Sequence, residues 1–377
     1  MTKKCINWLN KNNSSSPKLV YDLEEIKKNF LTFTKLFNGI KPYYAVKANP
    51  NEKILEVLRE LGANFDCASL SEVKKCIDLN ISPKKISFGN TVKRLDEIKK
   101  AFKLGVNLFA FDCEEELLKI AAYAPNSDVY CRLQVSNGGA EWPLSKKFGC
   151  ASRELEHLLI QAKELLLNPI GLSFHVGSQQ LSINTWVSAI NTSSKIYKKF
   201  NEKYFKLNFL NIGGGMPVDY SNNKTNIKNY SKSIVNEIKK KFGPAIPKNI
   251  IAEPGRFLVA SAGILECEIV LIKSKVKSDI KWLYLDVGRY SGLAETEGEA
   301  IKYRIESSKE KNEKKIKYII AGPSCDSHDI LYKKKLYSLP RKLSIGDRLR
   351  IYAAGSYIIS YQSNFNGIKK IKEFFLN

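Results

Sequence analysis

The chain has 377 residues, and its 61 lysines and arginines against 38 aspartates and glutamates give a formal net charge of +23 at pH 7. Hydrophobic residues make up 44% and charged residues 26%, which is typical of a folded protein long enough for two domains. No apolar run approaches the roughly 18–20 residues that span a bilayer, and the N-terminus lacks the apolar core of a signal peptide. We therefore predict a cytoplasmic protein without a membrane partner.

The positive charge raises the question of a nucleic-acid partner, because basic proteins bind polyanions through counterion release. The excess is rich in lysine, is spread over the whole length and forms no arginine cluster or recognised nucleic-acid module. We interpret it as a lysine-biased composition and predict no nucleic-acid partner. The eight cysteines form no C-x-x-C pair and there are only three histidines, so we predict no metal site.

From about residue 20 to residue 260, short apolar runs typical of strands alternate with longer amphipathic runs typical of helices. Two of the helical patterns are 51–61, with Ile54, Leu55 and Leu58 on one face, and 114–122, which begins with acidic residues. The strand-like runs are 43–46, 64–67, 86–88, 108–111, 129–133, 172–176, 209–212 and 250–253.

Strands that alternate with helices predict a parallel sheet, and eight such units fit a closed (β/α)8 TIM barrel, which we place at residues 21–262. The competing fold is an open doubly wound sheet, which would carry a Gly-x-Gly-x-x-Gly turn after its first strand. The sequence has Lys47-Ala48-Asn49-Pro50 there instead, which favours the barrel.

The pattern changes after residue 262, where apolar runs such as 282–285, 318–320 and 349–352 are separated by turn residues without long helical stretches. This pattern predicts a mostly antiparallel C-terminal β domain over residues 263–377. We expect residues 1–20 to join that domain as an added strand.

The reactive side chains of a (β/α)8 barrel lie at the carboxyl ends of its strands. A lysine held in a less polar site there has its ammonium form disfavoured, and the neutral amine can bond to a carbonyl carbon. A solvated surface lysine is the alternative interpretation of Lys47 taken alone. The strand ends in this sequence carry Lys47, Asp66, Arg132, His175, Gly213, Gly214, Gly215, Glu253 and, just beyond a turn, Arg256.

Three other motifs at these strand ends each allow two interpretations. The glycines 213–215 are either a plain turn or a loop whose N–H groups close on a phosphate. Glu253 and Arg256 form either a local ion pair or two separate sites, one for a ring nitrogen and one for a phosphate. His175 is either a core histidine or a ring that lies against a flat cofactor. Pyridoxal phosphate is one cofactor that uses an amine, an acid and a phosphate cradle together.

In their order and spacing, these motifs also resemble a known family, the fold-type III pyridoxal-phosphate decarboxylases. This family comprises ornithine, diaminopimelate and arginine decarboxylases built on an alanine-racemase-type barrel, and the resemblance runs from about Pro17 to Gly367. AEWPLSKKFG (140–149) and GLAETEGEAIKYR (292–304) are similar to its bacterial ornithine decarboxylase branch. The matching stretches are YYAVKAN (43–49), FDCAS (65–69), KFGC (147–150), SFHVGS (173–178), IGGGMP (212–217), AEPGR (252–256), GPSCD (322–326), AGSY (354–357) and FNG (365–367).

The resemblance implies a role for each matching residue. Lys47 would bond to the cofactor aldehyde, Glu253 would hold the pyridine nitrogen and His175 would stack on the ring. Cys325 would come from the other subunit of a homodimer, with active sites at the subunit interface, and would return a proton to the substrate carbon. The remaining implied residues are Ser178, Gly213, Gly214, Gly215, Arg256 and Tyr357 for the phosphate, and Asp66, Glu72 and Arg132 as support for the lysine and ring.

The resemblance further implies decarboxylation of a basic amino acid, with L-ornithine going to putrescine and CO2 in polyamine biosynthesis as the first choice. Asp326 follows Cys325 and would bind the distal ammonium of the substrate, together with Glu299 or, alternatively, Glu295. One methylene changes binding by only about 1–3 kcal/mol, so a lysine decarboxylase or a dual lysine/ornithine enzyme is an alternative. A diaminopimelate decarboxylase, an amino-acid racemase and a non-catalytic homologue are further alternatives.

Overall fold

The computed structural model describes residues 2–12, 16–143, 147–220, 225–274, 280–307 and 313–377. Its helices are Lys3–Lys11 (α1), Leu23–Leu36 (α2), Glu52–Glu60 (α3), Leu70–Asp78 (α4), Leu95–Lys103 (α5), Glu114–Tyr123 (α6), Ser152–Glu164 (α7), Ile183–Lys203 (α8), Ile227–Phe242 (α9) and Arg256–Val259 (α10). The strands of its first part are Lys18–Asp22 (β1), Ile40–Ala45 (β2), Asn64–Cys67 (β3), Ile86–Phe88 (β4), Leu108–Phe111 (β5), Asp128–Leu133 (β6), Ala140–Trp142 (β7), Asn168–Phe174 (β8), Ser178–Gln180 (β9), Phe209–Asn211 (β10) and Asn249–Ala252 (β11). Those of its second part are Gly263–Ser274 (β12), Lys281–Leu285 (β13), Ile305–Ser307 (β14), Lys315–Ala321 (β15), Ile330–Pro340 (β16), Arg348–Tyr352 (β17) and Lys372–Leu376 (β18).

The chain forms two compact units. One consists of Lys27–Pro217 and Thr225–Gly255, and the other of the described residues in Met1–Ile26, Val218–Lys224 and Arg256–Asn377. Among the described residues, no helix is both long enough and apolar enough to cross a membrane.

The first unit contains a closed barrel of parallel strands in the order β2-β3-β4-β5-β6-β8-β10-β11, with β11 pairing back onto β2. The eight apolar runs that we identified in the sequence are these eight strands, so the predicted (β/α)8 barrel is confirmed. The runs at β3, β4 and β5 have the predicted bounds, whereas β2 and β8 each begin a few residues earlier than predicted. The strands β7 and β9 pair separately as a short antiparallel ribbon.

The helices cover the barrel with apolar faces, as the predicted periodicity requires. In α3 the side chains of Ile54, Leu55, Val57 and Leu58 are buried, and Asn51 caps the helix by accepting the N–H of Lys53. Inside the barrel, an apolar cluster of Ala110, Tyr130, Phe209 and Ile251 packs together. These side chains form a packed core at this level of the barrel.

The second unit is a sheet with the strand order β14-β17-β12-β13-β15-β16. The strand β1 pairs antiparallel with β12 and parallel with β18, which brings an N-terminal strand into this sheet. Most strand pairs of this sheet are antiparallel, so the prediction of a mostly antiparallel domain is confirmed. The sheet is nevertheless mixed, because β13 and β15 run parallel, as do β1 and β18. The physical reason is that the chain after β13 crosses over before β15, a connection that apolar runs alone do not reveal.

Candidate active site

Lys47 lies in a single 3-10 turn, Val46–Ala48, that directly follows the strand β2. Its side chain is exposed in the chain described here, so the less polar setting that we expected for the ammonium is not provided by this chain alone. Burial raises the pKa values of two carboxyl groups, Asp66 and Glu72, and the charge of Lys47 opposes this rise in both. Lys47 thus lies among acids at the carboxyl end of the barrel.

Asp66 is buried at the end of β3, with only 4% of its surface exposed. Burial raises its pKa well above the usual range, the nearby Glu253 raises it further, and Lys47 and Arg132 oppose the shift. Its Oδ1 atom has no hydrogen-bond partner among the described residues. Gly89 makes room for it, because a Cβ at that position would lie 1.9 Å from Asp66 Oδ1.

Glu72 is tied to the start of α4. Ser69 caps this helix by accepting the Glu72 N–H at 3.3 Å, and Glu72 Oε2 accepts the N–H of Ala68 at 2.6 Å. These two hydrogen bonds hold the Glu72 carboxyl group at the start of α4, and its supporting role for the lysine and ring stays a prediction.

Arg132 and His175 lie at the ends of adjacent strands, β6 and β8. Burial lowers the pKa of His175 well below 6.5, and the charges of Arg132 and Lys47 lower it further, so the ring is neutral at pH 7. Its Nδ1 atom accepts the N–H of Gly177 at 2.9 Å, which leaves the ring proton on Nε2. A neutral, oriented ring is suited to lie against a flat aromatic ligand.

The glycine loop after β10 is closely surrounded by backbone. A Cβ at Gly213 would lie 2.4 Å from the Phe174 carbonyl oxygen, one at Gly214 2.7 Å from that of Glu253, and one at Gly215 2.4 Å from that of Gly177. Gly213 and Gly215 also have positive φ angles of 69° and 107°, which favour glycine. The loop is therefore a narrow backbone cradle between the ends of β8 and β11, and Ser178 begins the strand β9 nearby in sequence.

Glu253 directly follows β11 and is oriented by Asn211, which lies at the end of β10. The Asn211 side-chain amide donates to Glu253 Oε1 at 2.6 Å. The same side chain accepts the Gly213 N–H through Oδ1 at 2.8 Å. Sequence reasoning missed Asn211 as a functional residue, although its position two residues before the glycines was visible.

The other unit contains Arg256 and Tyr357. Arg256 Nη1 donates to Tyr220 Oη at 2.7 Å and to Glu295 Oε2 at 2.8 Å, and Nη2 contacts Glu295 Oε1. The Tyr357 ring lies 4.7 Å from the guanidinium carbon, and Tyr357 has a left-handed backbone with φ of 64°. The sequence pattern showed no link between Arg256 and Glu295, which are 39 residues apart.

Cys325 and Asp326 follow β15 in the same unit. The Cys325 thiol is exposed, and the backbone N–H of this residue donates to Asn366 Oδ1 at 3.1 Å. Asp326 accepts from the hydroxyl of Tyr290 at 2.7 Å and from the N–H of His328 at 2.8 Å. The Tyr290 hydrogen bond, with those of His328, lowers the pKa of Asp326, so the carboxylate stays ionised at neutral pH.

The two other acids predicted to bind the substrate ammonium, Glu299 and Glu295, already have partners within the chain. Glu299 accepts backbone N–H groups of Lys333 and Lys335 at 2.7 and 2.8 Å, and also that of Lys334. Glu295 is paired with Arg256. Contact of either acid with a substrate ammonium stays a prediction, and it competes with these existing partners.

The family model described as "Pyridoxal-dependent decarboxylase, pyridoxal binding domain" matches residues 23–260. The chain belongs to the pyridoxal-dependent decarboxylases. The ornithine decarboxylase of Saccharomyces cerevisiae is 31% identical to this decarboxylase over 93% of the chain and 78% of the yeast protein.

Two solved structures are similar to this decarboxylase over the full length of both chains at 28% identity. One is the arginine decarboxylase of Paramecium bursaria Chlorella virus bound to agmatine, with a TM-score of 0.90. The other is the lysine/ornithine decarboxylase of Vibrio vulnificus complexed with cadaverine, with a TM-score of 0.89. The decarboxylase is accordingly a carboxy-lyase that uses pyridoxal phosphate and belongs among enzymes of basic amino acids.

The barrel residues fit this cofactor in three respects. The loop Gly213–Gly215 carries no side chains, so a phosphate could approach its backbone closely. Asp66 has a buried oxygen without a hydrogen-bond partner among the described residues. Glu253 is an oriented acid that can hold the proton of a pyridine nitrogen.

Proposed function

We propose that this decarboxylase converts L-ornithine to putrescine and CO2, as a cytoplasmic homodimer with active sites at the subunit interface. The observation that supports this substrate class is the ionised, hydrogen-bonded Asp326 directly after Cys325. A carboxylate that stays charged at neutral pH suits the distal ammonium of a diamino acid. The resemblance to an ornithine decarboxylase supports the same substrate class.

Each barrel residue has a proposed role in holding the cofactor. The Lys47 amine would hold the cofactor covalently through its aldehyde carbon, and once displaced by the substrate amine it would be free to accept or return a proton. Glu253, oriented by Asn211, holds a proton between its carboxylate and the pyridine nitrogen. The neutral ring of His175 stacks on the cofactor, with Asp66, Glu72 and Arg132 as support.

The phosphate is assigned to the glycines, Ser178, Arg256 and Tyr357. Bound pyridoxal phosphate supplies an electron sink that accepts the electron pair left when the substrate carboxylate departs as CO2. Cys325 then gives a proton from Sγ to the substrate Cα, and its exposed thiol is consistent with a role in the site of a partner subunit.

Lysine is the second candidate substrate, and the hydrogen bonds that hold Glu299 support it. Glu299 is held by backbone N–H groups of residues 333–335, which draws its carboxylate toward that strand. If Glu299 does not reach into the substrate pocket, the pocket keeps room for one further methylene. A dual lysine/ornithine activity follows from the same reasoning.

The substrate proposal is tested by measuring CO2 release from ornithine, lysine, arginine and diaminopimelate side by side. We expect the highest kcat/KM with ornithine, and Asp326→Asn should raise the KM for ornithine by at least about tenfold because an ion pair is lost. Asp96→Asn is the matched control, since this carboxylate is exposed on α5. Dominant release from diaminopimelate, or proton exchange at Cα without CO2, would reject the proposal.

The shared site of the homodimer is tested by mixing two inactive variants. Lys47→Ala and Cys325→Ala lie in different parts of the chain, so a mixed dimer would carry one intact site. Random reassociation should restore roughly a quarter of the wild-type activity. Complementation that never exceeds the sum of the two separate variants contradicts a shared site.

A further inference from the structure

Arg256 and Glu295 form an ion pair that is almost fully removed from solvent. Their side chains are each 4% exposed. Two parallel contacts join the guanidinium to the carboxylate, one of them at 2.8 Å between Nη1 and Oε2. Tyr220 Oη accepts from the same Nη1 atom at 2.7 Å, so both Nη1 hydrogens are engaged.

This arrangement restricts the orientation of the Arg256 guanidinium and also stabilises its positive charge. A bidentate pair defines the plane of the guanidinium, because the fork of donors must match both carboxylate oxygens. The ring of Tyr357 at 4.7 Å and that of Tyr220 at 5.7 Å further restrict it. Burial disfavours the charge on Arg256, but Glu295, Tyr220 and Tyr357 together oppose it and hold the pKa of Arg256 well above its usual range.

Two roles for Glu295 compete with orientation of Arg256. As a ligand of the substrate ammonium, Glu295 would have to give up Arg256, which would leave a buried cation without its partner. As a purely structural residue, Glu295 would stabilise the fold but would not distinguish ligands with and without a phosphate.

We propose that Glu295 and Tyr220 are positioning residues for phosphate recognition, which hold the Arg256 guanidinium in the one orientation that binds the cofactor phosphate. This inference rests on the proposed function, in which Arg256 contacts the phosphate. Since Glu295 already neutralises Arg256, the phosphate preference derives from the orientation of the donors more than from net charge. Loss of Glu295 should therefore weaken phosphate recognition, although it removes a negative charge.

The experiment compares pyridoxal phosphate with pyridoxal, which lacks the phosphate. The full-length chain is freed of cofactor by dialysis, and both dissociation constants are measured by absorbance titration. For Glu295→Gln we expect the preference for pyridoxal phosphate over pyridoxal to fall by about tenfold, with pyridoxal binding unchanged. Tyr220→Phe should lower the preference by a smaller factor, and Glu297→Gln, an exposed carboxylate two residues away, should leave it unchanged.

Each possible outcome supports or overturns the proposal. Equal weakening of both ligands in Glu295→Gln indicates a structural role and overturns it, as does an unchanged or increased preference for the phosphate. If Glu295→Gln does not fold, as judged by its melting temperature, an unchanged preference in Tyr220→Phe overturns the proposal instead. Arg256→Lys distinguishes a failure of this proposal from a failure of the proposed function. If this variant keeps the full preference for pyridoxal phosphate over pyridoxal, the assignment of Arg256 to the phosphate is itself wrong.

Discussion

Asn211 and Glu253 are joined by a 2.6 Å hydrogen bond from the asparagine amide to Oε1 of the glutamate. Through its Oδ1 atom, Asn211 also accepts the N–H of Gly213 at 2.8 Å. A single buried side chain thereby connects the acid proposed for the pyridine nitrogen to the loop proposed for the phosphate.

We expect Asn211→Ala to lower kcat about tenfold, because one hydrogen bond to a charged group is worth about 1.5 kcal/mol. The Glu253 carboxylate would lose its fixed orientation while keeping its charge. Steady-state CO2 release measures kcat, and Asn208→Ala, before the start of β10, is the matched control. An unchanged kcat in Asn211→Ala would show that the orientation of Glu253 does not limit the reaction.

Lys47 and Cys325 are proposed to act at different stages, so their variants should differ in kind. Lys47→Ala should lose both the borohydride-reducible cofactor adduct and activity, whereas Lys41→Ala, an exposed lysine in β2, should keep both. Detection of the adduct in Lys47→Ala by mass spectrometry would contradict the assignment of the lysine.

Cys325→Ala should keep the cofactor absorbance and lose most amine formation, because the proton donor to Cα is removed. Cys113→Ala is the control, since this thiol is half-buried in the barrel unit. Both variants are analysed by chromatography of the reaction products. Normal putrescine formation by Cys325→Ala would refute its role.

The absence of a side chain at Gly89 leaves room for the Asp66 carboxyl group. A substitution at Gly89 therefore tests the placement of Asp66 without changing a reactive group. In Gly89→Ala the new methyl group would overlap Asp66 Oδ1, so the carboxyl group must move. We expect weaker cofactor binding and a loss of about 1–3 kcal/mol in the free energy of unfolding, as in overpacked cores. Gly138→Ala is the control, because the nearest atom to a Cβ there is Ser136 Oγ at 3.6 Å. Urea unfolding measures the change in stability, and cofactor titration measures the change in binding. Equal stabilities and equal cofactor affinities for Gly89→Ala and Gly138→Ala would contradict this prediction.

His175 should make stability depend on pH. Its folded pKa lies well below the unfolded value of 6.5, so between these values the unfolded chain binds more protons. The free energy of unfolding should therefore decrease as pH falls below 6.5, by up to about 1.4 kcal/mol per pH unit from this group.

Urea unfolding of His175→Gln between pH 8 and pH 5 should show a flatter dependence than that of the wild-type chain. His328→Gln is the control, because its ring is 79% exposed and lies in the other unit. A His175→Gln variant with the wild-type slope would show that His175 is not the group responsible.

Much of the fold could be predicted because the barrel strands are short, mostly apolar runs separated by amphipathic helices. Parallel strands buried on both faces leave this pattern in the chain whatever their neighbours are. The parallel pairing of β13 with β15 was not predicted, because the relative direction of two paired strands is decided by the connection between them.

The sequence by itself determined the barrel and which strand ends carry reactive groups: Lys47, Asp66, His175 and Glu253 all lie at or just after the ends of short strand-like runs. Only the tertiary structure decided which of these groups are oriented and by what, as with Asn211 beside Glu253 and Glu295 beside Arg256. The physical reason is the sequence separation of the residues that interact. Alternation of apolar residues is a local property of the chain, whereas hydrogen bonds and buried ion pairs join residues dozens of positions apart, which only the packed fold brings together.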